Sequence, residues 1–265
     1  MSEERVRLTV TDQVADVRMV RGDKHNALDG GMFAQMNQVT DELMQRKDIR
    51  AVVLSGEGPS FCAGLDFPSF MAGGLSHDDI FHVRAGEVAN SAQRLSYAWQ
   101  MLPMPVIAAL HGVCYGGGCQ MALGADIRIA ALDTRLSVME IKYGLIPDMA
   151  ITQCLPLLVG IDVAKELTYT GRIVQAQEAA TLGLVTRLAE DAYGEAMALA
   201  TEIASKSPHA IRDAKRLYNE SWREPPTTGL PLEAEMQQRL LGSQNQMRAV
   251  QASMAKQQAV FDDPE

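Results

Sequence analysis

The chain is short of aromatic residues, cysteines, positive charge and uninterrupted apolar runs, and each shortage excludes a class of protein. Aromatics make up 5% of the residues, which argues against an aromatic cradle for an aryl substrate. The four cysteines, Cys62, Cys114, Cys119 and Cys154, form no C-x-x-C pair, and no histidine cluster stands near them at zinc-ligand spacing. They read as reduced thiols of a cytosolic protein, packed as small hydrophobes, and no metal site is expected. Lys and Arg number 24 against 33 Asp and Glu, a net charge of −9, which disfavours binding to nucleic acid. The longest apolar stretches are broken by Pro103, Pro105 and the glycines near 116, so no membrane span is expected. The opening Met-Ser-Glu-Glu-Arg lacks the apolar stretch of a secretory signal, and the expectation is a soluble cytoplasmic protein. What remains is ordinary globular composition, 47% hydrophobic and 22% charged, in 265 residues without an obvious seam. A chain of that length buries roughly 70% of its unfolded surface and needs neither disulfide nor metal to fold.

Two alternating runs, Arg5 to Val10 and Val14 to Val20, predict an antiparallel hairpin turning at Asp12. A helix is predicted from about Asp29, with Met32, Phe33, Met36, Val39, Leu43 and Met44 at three- and four-residue spacing. The run Ala51 to Leu54 reads as a strand buried on both faces, ended by a loop over Ser55 to Pro59. The pattern then repeats: a long helical stretch from Ile80 to Met101, a strand from Val106 to Leu110, an apolar segment from Cys119 to Leu123, and a strand from Ile127 to Ala130. Apolar strands alternating with helices predict α/β architecture with mostly parallel pairing. Beyond about residue 190 only helices are predicted, interrupted at Pro208 and Pro225-Pro226. An amphipathic tail of that length must dock on the core or on another subunit. The chain therefore divides into 1–190, a core carrying the site, and 191–265, a helical C-terminal region.

Two glycine-bearing turns each follow a buried strand. The first is Phe61-Cys62-Ala63-Gly64-Leu65-Asp66, and the second runs from His111-Gly112 to Gly116-Gly117-Gly118-Cys119-Gln120. Three glycines opening a helix let a ligand approach the backbone N–H groups, where the helix dipole adds positive character. Two such turns meeting at one point would form an oxyanion hole. Either alone fits a phosphate cradle or tight packing equally well, and no dinucleotide-binding G-x-G-x-x-G is present near the N-terminus.

The two motifs together, about fifty residues apart, resemble the crotonase (enoyl-CoA hydratase/isomerase) superfamily. Asp23-Lys24-His25-Asn26-Ala27-Leu28, Ala125-Asp126-Ile127-Arg128-Ile129-Ala130, Tyr169-Thr170-Gly171-Arg172 and Gly183-Leu184-Val185 follow in the family's order. The likeness runs from about residue 10 to Phe261. It implies a crotonase-like spiral of ββα turns with a helical C-terminal trimerisation region, and a trimer or dimer of trimers. It implies stabilisation of a thioester enolate by the N–H groups of Leu65 and Gly117. Lys24, Ala27, Ala63, Asp66 and Phe67 would line the coenzyme A cleft, and Arg21, Lys24 and His25 could supply positive charge near the adenosine end. Lys256 and Phe261 correspond to residues that complete the CoA site, sometimes on the adjoining subunit. No tightly bound cofactor is implied; coenzyme A enters as part of the acyl-CoA substrate.

The acid–base residues depart from the hydratase pattern. Hydratases carry one glutamate shortly after the glycines and another about twenty residues on; here the first is Gln120 and the second Glu140. A carboxamide cannot exchange a proton at neutral pH, although it can orient a water. Asp148 occupies a position at which dienoyl-CoA isomerases, and 4-chlorobenzoyl-CoA dehalogenases, place an aspartate. Glu140 with Asp148 can move a proton along an acyl chain, which places double-bond isomerisation ahead of hydration by Glu140 alone. The other reading of Asp148 is a cap for a helix from Met149 to Leu158. A dehalogenase is disfavoured by the low aromatic content, RNA binding by the charge, and an idle acyl-CoA-binding protein by the retained Glu140. Cys62, Cys114 and Cys119 would need a base such as His111 to be nucleophiles, and a structural role fits them and His111 better.

Overall fold

The structure, a computed structural model, describes residues 3–76 and 80–264. Strands β1 (Val6–Thr11) and β2 (Val14–Met19) pair antiparallel from Val6↔Met19 to Thr11↔Val14. Asp12 and Gln13 between them both take positive φ, the geometry of a two-residue hairpin turn. Helix α1 (Gly30–Gln45) starts where the Asp29 carboxylate accepts the Met32 N–H at 2.8 Å. It buries Met32, Phe33, Met36, Val39 and Leu43, while Met44 is exposed. Strand β3 (Ala51–Gly56) and the short helix α2 (Phe67–Met71) follow.

The long helix expected from Ile80 to Met101 is interrupted: Ile80 and Phe81 are helical, residues 82–90 are not, and helix resumes as α3 (Ser91–Met101). Asn90 and Gln93 form a capping box there, and Gly86 upstream takes φ +82, so the sequence starts a new helix rather than continuing one. Next come β4 (Val106–Leu110), β5 (Val113–Tyr115), α4 (Gly117–Leu123), β6 (Ile127–Ala131) and β7 (Arg135–Ser137). A 3-10 turn, Glu140–Tyr143, leads to α5 (Leu155–Val159), α6 (Ile161–Thr170), β8 (Val174–Gln175), α7 (Ala176–Leu182) and β9 (Arg187–Ala189). Four helices complete the chain: α8 (Ala192–Ala204), α9 (Pro208–Ser221), α10 (Pro226–Leu240) and α11 (Gln244–Ala255).

One sheet has the order β1-β2-β3-β4-β6-β9 and a smaller one the order β5-β7-β8. From β2 onward every pairing in the larger sheet is parallel. Its central strands β3 and β4 are buried on both faces, and alternate residues serve different cores. Val52, Leu54, Val106, Ala108 and Leu110 join the main core with α1, α3 and α4 residues such as Met36, Trp99 and Met121. Ala51, Val53, Ile107, Ala109 and Ile129 face the other way, against Ala192, Ala196, Ala200 and Ala204 of α8. Alanine at every fourth position gives α8 a smooth stripe that lies close on the sheet. At the N-terminal edge of β3, Arg50 binds Asp263 at 2.8 Å and the carbonyls of Ala204 and Phe261, tying down the end of the chain. Among the described residues no helix is long and apolar enough to cross a membrane.

Candidate active site

Parallel strands deliver their C-terminal loops to one end of the sheet, and both glycine turns lie there. The first turn is stitched to β5: Cys62 N–H donates to Val113 O, Tyr115 N–H donates to Cys62 O, and Cys62 bridges Cys114. Gly64 takes φ +88, and a Cβ on it would lie 2.8 Å from Tyr115 O and 3.4 Å from Gly117 N. At Gly118 a Cβ would fall 2.6 Å from the Cys62 carbonyl oxygen. The two turns therefore pack backbone to backbone, which only glycine permits. Leu28 N–H donates to Gly64 O and Asp66 N–H to Leu28 O, while the intervening Leu65 N–H has no protein acceptor among the described residues. Gly117 is the first residue of α4, where a helix N–H has no intrahelical partner, and it too lacks one among the described residues.

Beside these donors lies a cavity of about 480 Å³. It is lined by Leu28, Ala63, Leu65, Phe67, Gly117 and Gln120 together with Glu140, Tyr143, Leu145, Ile146, Asp148 and Met149. Phe33, Phe70, Ile80 and Phe81 extend the wall, so four of the chain's six phenylalanines and Tyr143 surround one pocket. The low aromatic content thus says nothing about the site, and the argument drawn from it against an aryl substrate does not hold there. Phe67 stacks on Tyr143 with ring centroids 4.2 Å apart. The segment from Phe67 to Phe81 supplies much of the lining, and residues 77–79 within it lie outside the described residues. Among the described residues, none of the C-terminal helices lines the pocket.

Glu140 opens the 3-10 turn, and its Oε1 accepts from Gln120 Nε2 at 2.6 Å. Its Oε2 is buried without a hydrogen bond. Burial pushes the Glu140 carboxyl above its ordinary range; its own backbone N–H and Gln120 pull it down, and Asp148 pushes it up again. Burial also raises Asp148, against its own backbone N–H. Asp148 caps no helix: the segment after it is irregular, Ala150 takes φ 59, and α5 begins only at Leu155. Gln120 is 1% exposed, and its Oε1 accepts the Met149 N–H at 2.8 Å.

The remaining expected residues are scattered. Arg21 is not open to a ligand: it binds Asp66 at 2.7 Å, Asp29 at 3.5 Å and the Ala27 carbonyl. Asp66 also caps α2 through Ser69 N–H; burial raises its carboxyl, but the Ser69 and Arg21 bonds outweigh it and hold it below the usual range. Lys24 is exposed near Asp66. His25 bonds Ser60 and His111 bonds the Gly58 carbonyl. The four cysteines are buried, and burial pushes the Cys62 thiol up to about 12, which suits packing and not nucleophilic attack. Lys256 is the left-handed cap of α11, and Phe261 lies beside Arg50 at the other end of the sheet; neither lines the pocket. Sequence reasoning missed Phe33, Met139 and Leu145; for Leu145 the signal was proximity to Glu140, and for Phe33 there was none.

Comparison with known proteins places the chain in a family. The Enoyl-CoA hydratase/isomerase family profile matches residues 9–264. The mitochondrial Delta(3,5)-Delta(2,4)-dienoyl-CoA isomerase of Homo sapiens is 33% identical, over 95% of this chain and 80% of its own. The mitochondrial methylglutaconyl-CoA hydratase of Mus musculus is 31% identical, over 87% of this chain and 74% of its own. The crystal structure of an enoyl-CoA hydratase from Bacillus anthracis superposes with a TM-score of 0.86 at 28% identity, covering 97% of this chain and 99% of that one. Fold, paired turns and the whole-length match agree: the chain belongs to the enoyl-CoA hydratase/isomerase family.

Proposed function

We propose that this protein is a double-bond isomerase acting on enoyl-CoA or dienoyl-CoA thioesters. The observation that carries the reading is a pair of carboxylates, Glu140 and Asp148, in one apolar pocket, with an amide, Gln120, and no third carboxylate beside Glu140. The Leu65 and Gly117 N–H groups hold the thioester oxygen and stabilise the charge it gains when a C2 proton leaves. Glu140 takes that proton. The electron pair moves out along the conjugated chain, and Asp148 supplies a proton at its far carbon, C6 of a 3,5-dienoyl group. Buried, upward-shifted carboxyls suit both transfers near neutral pH. Ala63 and Phe67 flank the thioester, Lys24 meets the CoA phosphates, and Ala27 and Asp66 shape the cleft through Arg21. Lys256 and Phe261 complete the site on an adjoining subunit of a trimer, since neither lines the pocket of its own chain. No tightly bound cofactor enters the reaction.

The second reading, hydration by Glu140 alone, has support from the hydratase names among the relatives. Incubation with crotonyl-CoA, 3-enoyl-CoA, 3,5-dienoyl-CoA and 4-chlorobenzoyl-CoA, followed by absorbance and mass spectrometry, separates the possibilities. Isomerisation leaves the mass unchanged and moves the absorbance. Water addition to crotonyl-CoA without any shift of the dienoyl substrate would replace the isomerase with the hydratase, chloride release would point to the dehalogenase, and an idle binder would change nothing.

A further inference from the structure

Gln120 sits on the fourth residue of α4, three after the Gly117 donor, and its backbone is fixed at both ends: its N–H donates to Gly116 O, and its carbonyl accepts from the buried Ser96 hydroxyl at 2.8 Å. Its side chain is equally constrained. The Met149 N–H can only donate, so the amide oxygen must face it, and the NH₂ group is thereby directed at Glu140. One amide thus joins the two halves of the carboxylate pair, Glu140 directly and Asp148 through the peptide that follows it.

We propose that Gln120 is a positioning residue, a clamp that holds Glu140 ionised and oriented while fixing it to the Asp148–Met149 segment. The proposal rests on the reading that Glu140 does the proton chemistry. An amide donates to Glu140 at every pH, whereas a carboxyl in its place would compete with Glu140 for one proton. Within the pocket the charged group facing Glu140 is Asp148, with Tyr143 also on the lining. Lys142 on the same turn is exposed, as are Asp162, Lys165, Glu166 and Tyr169 on α6, the helix packed against that turn.

Two variants separate the contacts. Gln120→Met removes both hydrogen bonds at nearly constant volume. Gln120→Glu keeps an oxygen for the Met149 N–H and replaces only the donor to Glu140. The Glu140 carboxyl is titrated by isotope-edited infrared spectroscopy, with Glu140→Gln identifying its band, beside pH profiles of kcat on whichever acyl-CoA the native protein turns over. The Glu140 midpoint and the acid limb of kcat are expected to move upward by about one pH unit in both variants, about a tenfold loss of rate below the limb with recovery above it. A folded Gln120→Glu protein whose Glu140 midpoint stays at the native value overturns the clamp. If the native protein turns over no acyl-CoA, the functional reading fails on its own, and the infrared midpoint still decides the role of Gln120.

Discussion

At the residue scale the site divides into backbone donors and side-chain acids, and each is open to a different substitution. Gly117→Pro removes one donor N–H while proline is acceptable at the first residue of a helix. A Cβ at 117 also meets Met149 Sδ at 2.8 Å and Leu28 Cδ1 at 2.9 Å, both flexible ends, so Gly117→Ala isolates the steric part. Turnover should fall about 10²–10³-fold more in the proline variant than in the alanine one. Equal losses in the two would take Gly117 out of the donor pair. Glu140→Gln should remove nearly all activity, and Asp148→Asn should depress dienoyl isomerisation far more than a 3-enoyl shift; the measurement is kcat on both substrates. Glu140 also marks the stability curve. Because burial raises its carboxyl above the ordinary 4.5, its contribution is fully present below that value and is lost as pH rises through the raised one. The stability of Glu140→Gln relative to the native protein should therefore grow between pH 4 and pH 8, as urea unfolding at the two pH values would report.

At the element scale, what was legible in the sequence was whatever a local pattern determines. Asp29 and the stripe from Met32 to Leu43 announce α1, and the apolar run at Ala51 marks a strand covered on both faces. The break before α3 was not legible from periodicity, because Asn90 and Gln93 act through a cap and not through an apolar stripe. The carboxylate positions were readable from the motifs, whereas the aromatic pocket was not: Phe33, Phe70 and Phe81 come from separate segments, and only the fold brings them together. Long-range packing also joins α9 to the entry of β4. Lys215, buried on α9, donates to the carbonyls of Trp99 and Met104 and to Asp126 at 2.7 Å, while Asp126 accepts the Val106 N–H. Lys215→Met should cost about 3 kcal/mol, since it leaves the carboxylate and two carbonyls without their donor. A variant with an unfolding midpoint close to native would show that α9 is held by its apolar contacts alone.

At the scale of the whole molecule, the exposed Tyr143, Leu145 and Ile146 beside the pocket and Trp222, Leu230 and Leu241 on the C-terminal helices present more apolar surface than a lone chain usually leaves bare. Light scattering should give three or six times the 28.9 kDa chain mass, and a concentration-independent value at that single mass would remove the assembled form of the site. The burial of all four cysteines has a practical consequence for following such a protein in solution. Thiol-directed dyes react with exposed thiolates, so the native chain should stay unlabelled under conditions that modify a surface cysteine within minutes. A single cysteine introduced at Met71, which is 81% exposed at the end of the short helix that supplies Phe67 and Phe70, would then carry the only fluorophore. Its emission would report arrival of a thioester at the pocket mouth without any background from the four native sulfurs.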